Sequence, residues 1–285
     1  AAPEWVRRAA TRTRTRTIHA PSPAAPRPRT HRDGARVSRL SGRRVVVTGG
    51  ARDIGAAIVR GFVAEGATVA VLDPRVEEAT RLTDEVGGRA YRVDLSDATD
   101  TREAIEKAIA GLGGIDVLVN YAGVQRFAPL LEMDPAELGE PFAMPAQSML
   151  IAIQAAACAM IAFRAPGDDC PGKVINVASA GGTAAGGQAH YAASKAAVRA
   201  LTRAAAHELG PHGITVNCLC PGYVVQSSDP GAHSRPEVAT WSALSPLGRL
   251  GEPSDVARAA MFLASSDADY LTGDALNVAG GMVLH

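Results

Sequence analysis

Tyr191 and Lys195 stand four residues apart in "YAASK", with only Ala, Ala and Ser between them. On a helix, positions i and i+4 share a face, so phenol and ammonium can point together at one cleft. A free phenol titrates near pH ~10. A neighbouring ammonium favours the phenolate and makes the tyrosine a usable acid or base near neutrality. Ser179 lies 12 residues earlier, at the end of the strand-like run "KVINVAS". A hydroxyl there could hydrogen-bond a carbonyl oxygen as charge develops on it. The plain alternative is an amphipathic helix with a half-buried Tyr and a solvated Lys, and for an isolated pair that alternative prevails. His190 adjoins Tyr191 but points about 100° away around the helix, which makes it a poor base for the same cleft.

A second group lies near the start of the regular pattern. "VVVTGGARDIG" (45–55) is a β-branched run, a glycine turn and the opening of a helix. Such a turn places backbone N–H groups and the positive helix end against a pyrophosphate. Asp73 closes the next apolar run, 18 residues beyond Gly55. A carboxylate there can accept from a ribose 2′-OH and repels a 2′-phosphate, so NAD is expected over NADP. Capping of the turn before Pro74 is the competing role for Asp73.

The elements that must carry these groups alternate. Apolar runs at 45–48, 67–73, 115–120, 173–179, 214–219 and 275–281, with "RAYRVDL" between the second and third, read as strands. Helical spacing appears at 54–66, in "VEEATRLTDEV", in "ATDTREAIEKAIAGL", up to about Phe163, over 191–209 and from Pro253 to about Ala264. Strand and helix in turn predict an α/β fold, a single Rossmann-like doubly wound parallel sheet flanked by helices. The strands lack polar alternation, as expected of parallel strands covered on both faces. The Pro/Gly/Ser-rich stretch 221–252 is too long for an idle connection and reads as a substrate lid.

Charge is unevenly spread. Residues 1–44 hold 12 Arg, no Lys and 2 acids (net +10), leaving a body of 17 basic and 27 acidic residues (net −10). The low-complexity "TRTRTRT" and "PSPAAPRPR" cannot bury enough apolar surface to offset ordering entropy. Residues 1–39 are therefore expected to be a disordered basic leader and 40–285 the folded domain. A basic arm can bind nucleic acid or lipid, and an Arg-rich, acid-poor leader also suits organelle targeting, but a plain leader is the expectation. No nucleic-acid or membrane partner is expected. The stretch "MLIAIQAAACAMIAF" (149–163) is too short to span a bilayer and reads as a buried or interface helix. Four cysteines form no CxxC pair, no metal site is expected, and reduced thiols in a cytoplasmic protein are the natural reading. Cys218 and Cys220 are expected to face opposite ways along their strand.

From about Leu40 onward the chain resembles the classical branch of the short-chain dehydrogenase/reductase family. The resemblance rests on "TGGARDIG", Asp73, Asp94 in "VDL", "NYAG" (120–123), Ser179, "YAASK", "PGYV" (221–224) and "GRLGEP" (248–253), in the family's order. Each piece is weak alone and the set is specific. It implies an NAD(P)-dependent oxidoreductase interconverting an alcohol and a ketone. Tyr191 would be the general acid/base, Ser179 would orient the substrate oxygen, and Lys195 would lower the Tyr191 pKa and hold the nicotinamide ribose. Cofactor contacts would come from Gly49, Ala51, Arg52, Asp53, Ile54, Asp73, Asp94, Leu95, Asn120, Ala122, Gly123, Pro221, Gly222 and Val224, together with Tyr191 and Lys195. Ser179, Gly181, Gln188, Tyr191 and Tyr223 would line the substrate pocket, with Ala180 and Trp241 as further wall candidates. A homotetramer or homodimer is implied as well.

The family pattern is broken in places. Asp53 stands at the middle glycine of the family's TGxxxGxG, Tyr121 where a small residue or Asn is common, and Gln226 where a Thr follows the Pro-Gly pair. Pro145 replaces the Asn that holds a proton-relay water, and no Asn occurs between Asn120 and Asn176. A helix starting near Pro145 would tolerate it. Gln147 or Ser148 would be the substitute polar group. Two other readings therefore stand beside the dehydrogenase: a catalytically degenerate nucleotide-binding or scaffold protein, and an NADPH-dependent 3-oxoacyl or polyketide-type ketoreductase.

Overall fold

The computed structural model describes residues 38–123, 129–133, 139–163, 172–180, 189–226, 231 and 236–283. The calls made on residues 1–37, on Gly181 and Gln188, and on parts of the 221–252 stretch lie outside these residues. Seven strands form one parallel sheet: β1 (Arg44–Thr48), β2 (Thr68–Asp73), β3 (Arg89–Arg92), β4 (Val117–Asn120), β5 (Gly172–Val177), β6 (Ile214–Pro221) and β7 (Ala275–Val278). Their spatial order is β3-β2-β1-β4-β5-β6-β7. The order reverses between β1 and β4, which places a crevice beyond the carboxyl ends of those strands.

Seven α-helices are described: α1 (Asp53–Ala64), α2 (Val76–Val86), α3 (Ala98–Leu112), α4 (Gly139–Ala162), α5 (Ala189–Leu209), α6 (Pro236–Ala243) and α7 (Pro253–Ala264). The strand side chains divide by parity. Val45 and Val47 pack with Ile58 and Phe62 of α1 and Val256 and Ala260 of α7. Val46 packs on the other face with Ile105 of α3, Ala156 of α4 and Ala206 of α5. Period-2 alternation therefore sends every second residue to a different helical layer.

Two ion pairs lie at the amino-terminal ends of sheet strands. Arg44, at the start of β1, grips Asp116 through its Nε (2.9 Å) and Nη2 (2.8 Å). Lys173 of β5 is fully buried, and its Nζ meets Asp269 at 2.7 Å. Burying that ammonium is tolerable only because the carboxylate neutralises it. At the amino end of the body, Arg39 is tied to Glu65 and Leu40 is fully buried.

Two expectations need correcting. Helix α4 begins at Gly139, so Pro145 lies inside the helix rather than at its start. Its window Pro145–Ala162 is long and apolar enough to cross a membrane, with a mean hydropathy of 1.5, yet 56% of it is buried inside the protein. Ala152, Ala156 and Ala157 pack against the sheet and neighbouring helices, as a core helix does. Cys218 and Cys220 do not face opposite ways. Both are fully buried with Met149, Ala178, Ala180 and Val198, while Leu219 between them joins the other layer. Residues i and i+2 of a strand share a face; only neighbours alternate.

Candidate active site and cofactor cradle

Three groups converge where β5, β6 and α5 meet. Ser179 follows β5 by two residues, and Tyr191 sits in the first turn of α5. The Ser179 hydroxyl and the Tyr191 phenol are hydrogen-bonded. Lys195, one turn further along α5, lies with Nζ 5.7 Å from the Tyr191 ring centroid. That Nζ donates to the Val177 carbonyl at the end of β5 at 3.0 Å. The predicted i, i+4 geometry thus brings phenol and ammonium to the same strand end. His190 is buried on its own side of the helix, 3% exposed, with no hydrogen-bond partner for Nε2 among the described residues.

The electrostatics differ from expectation in one respect. Burial pushes the Tyr191 phenol above its usual range, and the Ser179 hydrogen bond only partly pulls it back. The phenol is therefore not brought below its normal range. Burial drives the Lys195 pKa down to about 8, against the nearby Cys218 and Cys220, which favour the charged form. Burial outweighs the neighbours for both groups.

The proposed relay substitutes fare differently from each other. Gln147 is exposed, so it does not face the buried end of α4. Ser148 is buried and donates to the Pro145 carbonyl at 3.4 Å.

The cofactor edge is built from close backbone approaches. A Cβ on Gly55 would lie 2.1 Å from the Gly49 carbonyl oxygen, and one on Gly49 would lie 2.9 Å from the Ala122 backbone. Only glycine permits the amino end of α1 to press this near β1 and the β4 loop. Asp53 adopts φ 50°, the single positive φ outside glycine among the described residues. Asp is among the few residues that tolerate this. Arg52 adjoins it and is stabilised in its charged form by Asp53 and Asp73, although first by Glu78. Ile54 is buried beneath the turn.

Asp73, 2% exposed, accepts the Ala51 N–H at 3.1 Å and the Arg75 N–H at 2.9 Å. It does cap the turn. A carboxylate offers about four acceptor positions, so two remain. Asp94 accepts from the Ser96 N–H (3.0 Å) and hydroxyl (2.6 Å), and Leu95 is buried beside it. Asn120, at the end of β4, donates to Asn176 at 2.9 Å, while its Oδ1 is buried and without a hydrogen-bond partner among the described residues. A Cβ on Gly123 would stand 3.2 Å from the Lys195 Nζ, which joins the β4 loop to the Tyr191 end. Gly222 presses on Ala279, Pro221 ends β6, and Val224 bridges to Gly251. Tyr223 stacks flat on Trp241, centroids 5.1 Å apart and planes 1° off parallel.

Tyr121 carries more than its sequence position suggested. It packs against Gly55, and burial first, then Asp53 and Tyr191, raise its phenol pKa. It therefore links the cradle to the Ser179–Tyr191 pair. The glycine cradle, the buried and orphaned Asn120 Oδ1, and the Asp73 carboxylate fit a dinucleotide. Gly49, Ala51, Asp53 and Ile54 would surround its pyrophosphate, and Asp73 its adenosine ribose.

Comparisons with known proteins give the family. A family model described as enoyl-(acyl carrier protein) reductase matches residues 49–283. The chain is 38% identical over 252 residues to a galactitol 2-dehydrogenase (L-tagatose-forming) of Cereibacter sphaeroides, covering 86% of this chain and 96% of that one. It is 36% identical over 254 residues to a 3-oxoacyl-[acyl-carrier-protein] reductase of Thermotoga maritima, covering 86% and 100%. A solved short-chain dehydrogenase/reductase double mutant of Serratia marcescens superposes with a TM-score of 0.77 at 33% identity, covering 86% and 99%. The chain belongs to the short-chain dehydrogenase/reductase family. It is an oxidoreductase of that family, which works on small molecules with a nicotinamide cofactor, NAD(H) or NADP(H).

Proposed function

We propose that this protein is an NAD-dependent dehydrogenase that interconverts a secondary alcohol and a ketone, with Tyr191 as general acid/base. The observation that carries the reading is the Ser179–Tyr191 hydrogen bond with Lys195 one turn away. Bound NAD supplies the hydride acceptor or donor. Ser179 and Tyr191 together grip the substrate oxygen. Tyr191 gives that oxygen a proton in ketone reduction and removes it in alcohol oxidation. Lys195, oriented by the Val177 carbonyl, binds the nicotinamide ribose.

NAD rather than NADP is supported by Asp73, whose buried charge disfavours a second negative group. The named relatives are a galactitol 2-dehydrogenase and a 3-oxoacyl-[acyl-carrier-protein] reductase, so both a polyol-type alcohol and a 3-oxoacyl group fit the class. Stacked Tyr223 and Trp241 form one wall of the substrate side. A cytoplasmic homotetramer or homodimer, and a domain spanning 40–285, complete the reading. A non-catalytic nucleotide-binding protein is the second reading, favoured by Pro145 inside α4 where the family has its relay Asn.

The deciding experiment is Tyr191→Phe. Turnover should disappear while NADH still binds in a fluorescence titration. Substantial residual turnover would remove Tyr191 from the mechanism. A wild-type protein that binds NADH and turns over no alcohol or ketone would favour the second reading.

A further inference from the structure

One ion pair at the rim of the cradle has no part in the chemistry above. Arg52 directly precedes α1, between Ala51, whose N–H holds Asp73, and Asp53. Its guanidinium meets the Glu78 carboxylate in two parallel bonds, Nε to Oε2 and Nη2 to Oε1. The two side chains are 46% and 24% exposed, so the pair borders solvent rather than core. Glu78 stands in the first turn of α2, five residues past Asp73. Arg52 is its foremost stabilising partner, with Arg75 and Arg81 adding to the effect. Arg52 in turn faces three carboxylates: Glu78, Asp53 and Asp73.

The β2 terminus is where the adenosine ribose of a dinucleotide is read, and a nearby Arg is the usual means of accepting a 2′-phosphate. A guanidinium fork suits a phosphate as well as it suits a carboxylate. Two forks lie near Asp73 in this chain: Arg75, whose Nη1 stands 4.0 Å from the Asp73 carboxylate, and Arg52, which is already filled by Glu78. We propose that Glu78 is a specificity-determining positioning residue, which occupies the Arg52 guanidinium and so withholds it from the 2′-phosphate of NADP(H). The inference rests on the dinucleotide reading of the cradle. It adds that discrimination is shared between two carboxylates. Asp73 repels the phosphate directly, and Glu78 removes one of the two cations that would offset the repulsion. Glu78 belongs to neither the catalytic group nor the cofactor cradle, so its replacement leaves the hydride and proton machinery untouched.

The test measures dissociation constants for NADH and NADPH by fluorescence titration of the full chain, for wild type, Glu78→Gln, Arg52→Gln and the double variant. Glu78→Gln should tighten NADPH binding roughly fivefold, as expected for releasing one exposed ion pair and one nearby negative charge, and move NADH by less than about twofold. In the Arg52→Gln background the same substitution should give no gain in NADPH affinity. That coupling separates action through Arg52 from a merely structural role. Glu78→Ala is the independent second variant, and thermal melting reports whether each is folded. An unchanged NADPH affinity, an equal gain for both cofactors, a gain that survives without Arg52, or a wild type that already prefers NADPH would each overturn the proposal. If the wild type binds neither cofactor, the cradle reading itself falls and the proposal with it. If it binds NADH normally and only the Glu78 effect is missing, the cradle stands and the role of Glu78 is lost.

Discussion

The two ends of the crevice handle charge in opposite ways. At the α5 end, Lys195 is 5% exposed and has no carboxylate partner among the described residues; its Nζ has the Val177 carbonyl. At the α1 end, Arg52 is solvent-facing and paired with Glu78, and Asp73 is satisfied by two backbone N–H groups. The first end keeps an ammonium under stress, which holds its pKa at about 8. The second has its guanidinium paired with a carboxylate before any ligand arrives. A proton-transfer site needs groups whose protonation state shifts easily, whereas a recognition site needs fixed charges.

The largest effect should come from the α5 end. Tyr191→Phe should lower kcat by roughly a thousandfold, the scale of a lost general acid/base, and leave the NADH dissociation constant nearly unchanged. Lys195→Met should follow, lowering kcat by roughly a hundredfold. It also tests the stress directly. A lysine whose folded pKa lies below its unfolded value costs stability while charged in both states. That cost fades as pH rises from about 8 toward the normal lysine value of 10.5. Wild type should therefore gain stability relative to Lys195→Met across that window in thermal melts. A gap independent of pH would show that Lys195 is not strained.

At the α1 end the expected effects are smaller. Asp73→Ala should narrow the NADH-to-NADPH affinity ratio by about tenfold, because it removes the buried negative charge nearest the ribose. Its melting midpoint should fall too, since the Ala51 and Arg75 N–H groups lose their acceptor. Away from both ends, Pro145→Ala should stabilise α4 by up to about 3 kcal/mol, the cost of an interior helical proline. A destabilised Pro145→Ala protein would mean that the buried proline ring is needed for packing.

Much of this was legible beforehand. The strand and helix order, the glycine turn and the Tyr191–Lys195 face all follow from spacing, because local periodicity dictates them. The start of α4 was not legible. Proline signals a helix start by local rules, and packing of Ala152, Ala156 and Ala157 carries the helix through it instead. The cysteine facing was legible in principle, since period 2 sets it. What surrounds Cys218 and Cys220 depends on Met149 and Val198, which come from two different helices.

The sequence by itself determined the order of the elements, the family and which side chains can carry the chemistry. These depend on residue type and short-range spacing, which the chain carries wherever it folds. Tertiary structure decided that Tyr191 titrates high, that Lys195 is strained, and that Glu78 reaches Arg52 from 26 residues away. Those properties belong to burial and to contacts between separate elements, and neither exists until the sheet and its helices have closed around them.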